Sequence, residues 1–167
     1  MLGLLYFLGN GMTDLFGRDG KRPTVACDTV VLTMKEGEMC VLLIVRGHDP
    51  YKGLYALPGG FMEWDESCEE GARRELQEET GLRVDEIDLI GVFSKPGRDP
   101  RGTIVSVAYL TVIEPEKAQI QAGDDAAQAE WVKVSQIPKL AFDHSEVFAA
   151  AQTLFESKPQ LKKRLGM

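Results

Sequence analysis

The sequence predicts an α/β fold, an α/β/α layered domain on a mixed β-sheet, from three observations. Runs rich in β-branched residues recur along the chain, one acidic stretch in the middle changes to helical period, and an apolar stripe at helical spacing stands near the end. With 167 residues, 44% of them hydrophobic, the chain can bury one sizeable core.

Each element has its own signal. VACDTVVLTM and CVLLIVRG flank the polar turn KEGEM and read as a hairpin. The Pro/Gly-marked loop HDPYKG follows, then LYALPGG, a short strand broken by Pro58 and two glycines. From Asp65 the period changes: Cys68, Ala72, Leu76 and Glu79 recur at helical spacing, predicting a helix from about Glu66 to Thr80. Asp65 or Ser67 caps its start and Gly81 stops it. Strands resume at IDLIGVFSK and TIVSVAYLTVI, on either side of the turn-rich PGRDPRG. The acidic loop EPEKAQIQAGDDAAQ leads to the short strand AEWVKV, and SEVFAAAQTLFES forms a last helix with Val147, Ala150, Ala151, Leu154 and Phe155 on one face. The domain is placed over residues 22–156, with an N-terminal arm at 1–21 and a solvated basic tail at 157–167.

The formal charge of -7 is concentrated. Residues 1–62 carry six acids and six bases, whereas residues 63–79 carry eight acids and two bases. A pI near 4.9 without a Lys/Arg run argues against nucleic-acid or anionic-membrane partners, because backbone binding needs clustered positive charge. Cys27, Cys40 and Cys68 lack C-x-x-C spacing, which points away from a disulfide framework or a zinc site; they are expected as buried small hydrophobes in a reduced, cytoplasmic compartment. The opening MLGLLYFLGNGM has no basic flank and is too short to span a bilayer, so it is expected to be an extraneous or docking arm, with Met12 as an alternative start.

Positions three and four apart share a helix face, so Glu75, Glu78 and Glu79 point their carboxylates into one region. Such focusing is repulsive unless a cation offsets it. Composition and periodicity leave two readings, a solvated acidic face or a grip for a hard divalent cation with oxygen ligands. The preceding LPGGFMEWDE adds glycines that permit close approach of a ligand or metal to a carbonyl. Arg74, beside Glu75 and within a turn of Glu70 and Glu78, is placed to hold a carboxylate's rotamer.

Gly60, Glu66, Arg74, Glu75, Leu76, Glu78, Glu79, Gly81 and Leu82 meet every spacing of one motif of 23 residues. This stretch resembles the Nudix box, and the surrounding strand order is similar to the Nudix-type α/β/α sandwich. The resemblance implies a hydrolase of a nucleoside diphosphate linked to another moiety, using Mg²⁺ or Mn²⁺. Glu75, Glu78, Glu79 and the Gly59 carbonyl would be metal ligands, with Glu78 and Glu79 also catalytic, and Glu66 and Arg74 would orient them. The family often takes another carboxylate from a distant loop; Glu114, Glu116, Asp124 and Asp125 are candidates, and Asp125 is preferred.

Outside the box, Pro96 lies fourteen residues past Leu82, and PGRDPRG followed by a V-S-x-x-aromatic strand resembles ADP-ribose pyrophosphatases of the superfamily. Arg98 and Arg101 on that loop are expected to meet phosphate or adenine, with a turn of solvated arginines as the plain alternative. Arg46 is expected to reach the diphosphate from a strand end. Tyr55 is a candidate for the base, although core packing suits it better. His48 and His144 read as surface or rim residues, Trp131 as core, and Trp64 as either covering the site or packing on the helix. The resemblance implies a small-molecule nucleotide substrate and a homodimer. Two rival functions are a nucleoside triphosphate pyrophosphohydrolase and an ADP-ribose-sensing regulatory protein.

Overall fold

A computed structural model describes residues 22–120 and 128–167. Strand β1 (Thr24–Lys35) turns through Glu36 and Gly37, both at positive φ (53° and 78°), into β2 (Glu38–Val45). That two-residue turn pairs Lys35 with Glu38 and sets the hairpin register. The short strands β3 (Tyr55–Ala56) and β4 (Gly59–Phe61) fit between the diverging arms: β3 pairs with the end of β2 and β4 with the start of β1. Next come helix α1 (Cys68–Thr80) and strands β5 (Asp88–Phe93), β6 (Ile104–Val112) and β7 (Gln128–Lys133). Helices α2 (His144–Ser157) and α3 (Pro159–Arg164) end the chain.

The sheet is mixed as expected. β1 runs parallel to β6 and antiparallel to β2 and β4, β7 pairs with β2, and β5 pairs with β6. Period-2 alternation sends Val30, Leu32, Val41, Leu43, Ala108 and Leu110 to one face, where Val147, Phe148, Ala151 and Phe155 of α2 cover them. Val31 and Leu42 go to the other face with Leu76 of α1, and Cys27 and Tyr109 lie there with Ala72. Burial on both faces explains why β1 reads as a nearly unbroken apolar run. Among the described residues no helix is long and apolar enough to cross a membrane.

The tail departs from expectation. Instead of a solvated terminus it forms α3, whose Leu161 is buried with Leu165 in the α2-side core. Arg164 donates to Glu86, Glu114 and the Val112 carbonyl. Proline at the helix start and leucines four apart carry this signal, which the basic composition masked. Trp131 packs on the α1-side core and donates to the Ala118 carbonyl, whereas Trp64 is 98% exposed and covers nothing. Cys27 and Cys40 are buried and Cys68 is partly so.

Candidate active site

Helix α1 begins at Cys68, two residues past the expected Glu66, on Ser67, one of the two expected caps. Ser67 is the N-cap: its hydroxyl accepts from the Glu70 N–H while Glu70 accepts from the Ser67 N–H, a reciprocal capping box. Gly81, in the left-handed region at φ 74°, donates to the Gln77 carbonyl and ends the helix. These two stops set the rotational phase of α1. Ala72, Leu76 and Thr80 go inward, Glu75 and Glu79 face the glycines of β4, and Glu78 lies on the exposed side.

Arg74 organises that flank. Its guanidinium donates to both oxygens of Glu66 at 3.0 and 2.8 Å, to Glu75 at 2.9 Å, to Glu78 at 3.1 Å and to the Phe61 carbonyl at 3.0 Å. Glu66 also accepts from the Glu63 N–H at 2.7 Å. The bonds from Arg74, ahead of that one, hold its carboxyl below the usual range. Glu66 and Arg74 are thus bonded to each other, and Arg74 also to Glu75 and Glu78.

The glycines of β4 lie against the acids. Glu79 accepts from the Gly59 N–H at 2.9 Å, and a Cβ on Gly60 would collide with the Glu75 carboxylate. Burial first, with repulsion from Glu75 and Asp28, pushes the Glu79 carboxyl up to about 8; burial also raises Glu75. Two half-buried carboxylates whose ionisation burial disfavours are oxygen donors of the kind that suit a hard divalent cation. Among the described residues no three such side chains already form a closed cage. Glu78 projects into solvent, and Arg74 occupies one oxygen each of Glu75 and Glu78.

The cleft beside these glycines brings together residues far apart in the chain: Asp28, Arg46, Phe61, Arg98, Arg101, Phe142 and His144 line it. A larger groove of about 680 Å³ runs between residues 81–86, 111–114 and Arg164; the smaller cleft is the one lined by Gly59 and Gly60, which lie against Glu79 and Glu75, so the chemistry is assigned there. Arg46 follows β2, as expected, and donates to the carbonyls of Pro50 at 2.8 Å and His48 at 3.4 Å. Arg101 is bound to Asp99 and lies 4.9 Å from the Phe61 ring centre. Arg98 is not a solvated loop arginine. It is buried and makes a two-armed pair with Asp143 at 2.8 and 2.6 Å, which ties the PGRDPRG loop to the start of α2. Tyr55 lies outside the cleft lining; its hydroxyl donates to Glu130 at 2.5 Å and its ring packs on the core.

Two buried polar residues escaped the sequence reading. Asp28 accepts from the Ser106 hydroxyl and lies beside the Gly59 backbone. His144 is buried, which corrects its expected rim position: its Nδ1 accepts from the Leu57 N–H at 2.9 Å, so the proton sits on Nε2, 3.9 Å from Asp28. His48 is exposed as expected. Of the candidates for an additional carboxylate, Glu114 pairs with Arg164 in the larger groove, Glu116 lies in the 3-10 turn Pro115–Lys117, and Asp124 and Asp125 lie outside the described residues.

The ADP-ribose pyrophosphatase of Methanocaldococcus jannaschii is 43% identical over 125 residues, covering 75% of this chain and 70% of that protein. The ADPR responsive transcriptional repressor NtrR of Acinetobacter baylyi is 33% identical over 144 residues, 84% of this chain but 57% of the repressor, so the chain spans little more than half that relative's length. Among solved structures, a MutT/nudix family protein from Enterococcus faecalis superposes with a TM-score of 0.80 at 32% identity over 87% of this chain and 68% of that one. The NUDIX domain of Shewanella oneidensis NrtR complexed with ADP ribose superposes with a TM-score of 0.77 at 29% identity, covering 90% and 97%. The NUDIX domain model matches residues 22–151, spanning the whole sheet and the box helix, and the chain belongs to the Nudix family of hydrolases.

Proposed function

We propose that this Nudix hydrolase cleaves the diphosphate of ADP-ribose, with Mg²⁺ or Mn²⁺, to AMP and ribose 5-phosphate. The observation that carries the reading is the meeting of an acidic flank and two arginines at one cleft. Glu75 and Glu79 lie against Gly60 and Gly59, while Arg46 and Arg101 line the same cleft. A linked diphosphate needs both, a cation on the acids and guanidinium groups on the remaining oxygens. The M. jannaschii relative's name and the ADP ribose complex of the S. oneidensis domain support this substrate.

Glu75, Glu78, Glu79 and the Gly59 carbonyl would hold the metal. When bound there, a divalent ion lowers the pKa of a water and neutralises charge growing on diphosphate oxygens. Glu79, assisted by Glu78, orients the attacking water and takes its proton at a carboxylate oxygen. The water oxygen bonds to one phosphorus as the bridging P–O bond breaks, releasing the two monophosphates. Arg74 keeps Glu75 and Glu78 in place, Arg46 and Arg101 bind phosphate oxygens, and Asp125 is the proposed additional carboxylate. Homodimeric assembly and a cytoplasmic location belong to the same proposal, and sedimentation of the purified chain tests the first.

The deciding experiment is product identification after incubation with Mg²⁺ and ADP-ribose or, separately, each nucleoside triphosphate. AMP and ribose 5-phosphate formed fastest from ADP-ribose support the reading. Pyrophosphate released mainly from a triphosphate moves the function to nucleotide-pool cleaning. The second reading, an ADP-ribose sensor, is favoured by the likeness to the A. baylyi repressor; ADP-ribose binding without turnover would establish it in place of catalysis.

A further inference from the structure

We propose that Phe142 is a positioning residue that holds Arg46 and Arg101 as a phosphate clamp, presenting both guanidinium groups to the diphosphate. The inference rests on the diphosphate-cleaving function proposed above and adds a residue that makes no bond to the phosphates itself. The Cζ of Arg46 lies 4.7 Å from the Phe142 ring centre and that of Arg101 lies 5.3 Å from it. Two cations gathered around one ring repel each other, and Arg101, after burial, is the largest cause lowering the basicity of Arg46. The negative faces of an aromatic ring offset part of that repulsion, and a bound anion offsets the rest.

The backbone at Phe142 is held in place by its neighbours. Phe142 has a φ of 52°, a left-handed conformation that bulky residues rarely adopt. Bonds on both sides impose it: the Ala141 N–H donates to the Tyr55 carbonyl at 2.8 Å, Arg98 grips Asp143, and the Leu57 N–H donates to His144. Tyr51, also at positive φ (65°), meets the Phe142 ring edge-on with centroids 4.9 Å apart. Two positive-φ residues in contact, one of them lining the cleft, match the clustering of strain at ligand sites. Arg46 in turn hydrogen-bonds to backbone carbonyls rather than to a carboxylate at these positions, so its charge is oriented and not neutralised there. A plain packing role is the alternative, since the ring also touches the small cluster of Ile44, Ala56 and Ala141.

Leucine and tyrosine separate the two. Phe142→Leu retains apolar packing and loses the ring, whereas Phe142→Tyr keeps the ring. The measurements are kcat and KM for ADP-ribose and, by calorimetry in Mg²⁺, the Kd for inorganic pyrophosphate. The clamp predicts that Phe142→Leu raises KM and the pyrophosphate Kd by about tenfold with kcat held, and that Phe142→Tyr restores both. A cycle combining Phe142→Leu with Arg101→Lys reads the coupling directly and discounts a general loss of stability; the clamp predicts that the two losses are not additive. Wild-type pyrophosphate affinity in Phe142→Leu, equal loss in Phe142→Leu and Phe142→Tyr, additive losses in the cycle, or no pyrophosphate binding by the wild type would each overturn it. Wild type that binds pyrophosphate in a Phe142-dependent way but leaves ADP-ribose intact would retain the clamp and remove the substrate assignment.

Discussion

Replacing Arg74 with lysine keeps the positive charge of the box and removes its planar fork. The arginine makes two bonds to Glu66 and one each to Glu75, Glu78 and the Phe61 carbonyl. An ammonium has three donors and no plane, so it cannot bracket Glu66 while also reaching the helix acids and β4. A hydrogen bond to a charged group contributes about 1.5–3 kcal/mol where water is excluded, and exposed pairs contribute about 0–1 kcal/mol. The Arg74 side chain is 23% exposed and its Glu66 partner 12%, whereas Glu78 is 60% exposed, so the Glu66 bracket carries most of the loss. Arg74→Lys is expected to cost about 2 kcal/mol in urea unfolding, or roughly 4–8 °C in Tm for a domain of this size. Because Glu75 and Glu78 lose their orientation as well, kcat at saturating Mg²⁺ falls about 10–100-fold. A lysine variant with wild-type Tm and wild-type kcat would refute the assignment of Arg74 as the part that organises the acids.

Gly60→Ala places a methyl against the Glu75 carboxylate, the mobile end of a side chain, so Glu75 swings away while the fold survives; kinetics should show a weaker apparent Mg²⁺ affinity with little change in circular dichroism. Burial lowers the His144 pKa, with Asp28 and Asp143 opposing that shift and Arg98 and Arg46 adding to it. Below about pH 6.5 the unfolded chain therefore takes up a proton that the folded chain refuses, and stability falls as pH falls. His144→Gln, which keeps an acceptor for the Leu57 N–H, should flatten that part of a urea-denaturation pH profile. At lower pH, Glu66 has a depressed pKa, so its contribution is present above about pH 4.3 and is lost as pH falls through its folded value; acid unfolding of Arg74→Lys should show a shallower slope there.

The box was legible because its constraint is local. A cap at Ser67, a glycine stop and acids at helical spacing set the phase that turns Glu75 and Glu79 toward β4, whereas the exposure of Glu78 depends on what packs beside the helix. Strands rich in β-branched residues and bounded by turn residues were legible for the same reason. The other wall of the cleft was not. His144 reaches Leu57 across 87 positions, Ser106 reaches Asp28 across 78 and Arg98 reaches Asp143 across 45, and nothing in the immediate neighbours of these residues marks them as buried. Arg98 and Arg101 look equivalent in PGRDPRG, yet the fold buries the first as a tie and leaves the second at the cleft. Phe142 had no signal in composition, because its role depends on two arginines brought from β2 and the β5–β6 loop.

The most direct test of the central claim is kcat/KM for ADP-ribose and for each nucleoside triphosphate in Mg²⁺, measured on the wild type and on Glu79→Gln. Glutamine keeps an acceptor for the Gly59 N–H and is a neutral replacement for a carboxyl whose ionisation burial, with Glu75 and Asp28, already disfavours, so the metal-free variant should melt no earlier than the metal-free wild type. The account predicts that the wild type favours ADP-ribose and that Glu79→Gln loses orders of magnitude in kcat with its fold intact. Near-native turnover in Glu79→Gln would contradict the assigned chemistry, and a wild type that favours a triphosphate would contradict the assigned substrate.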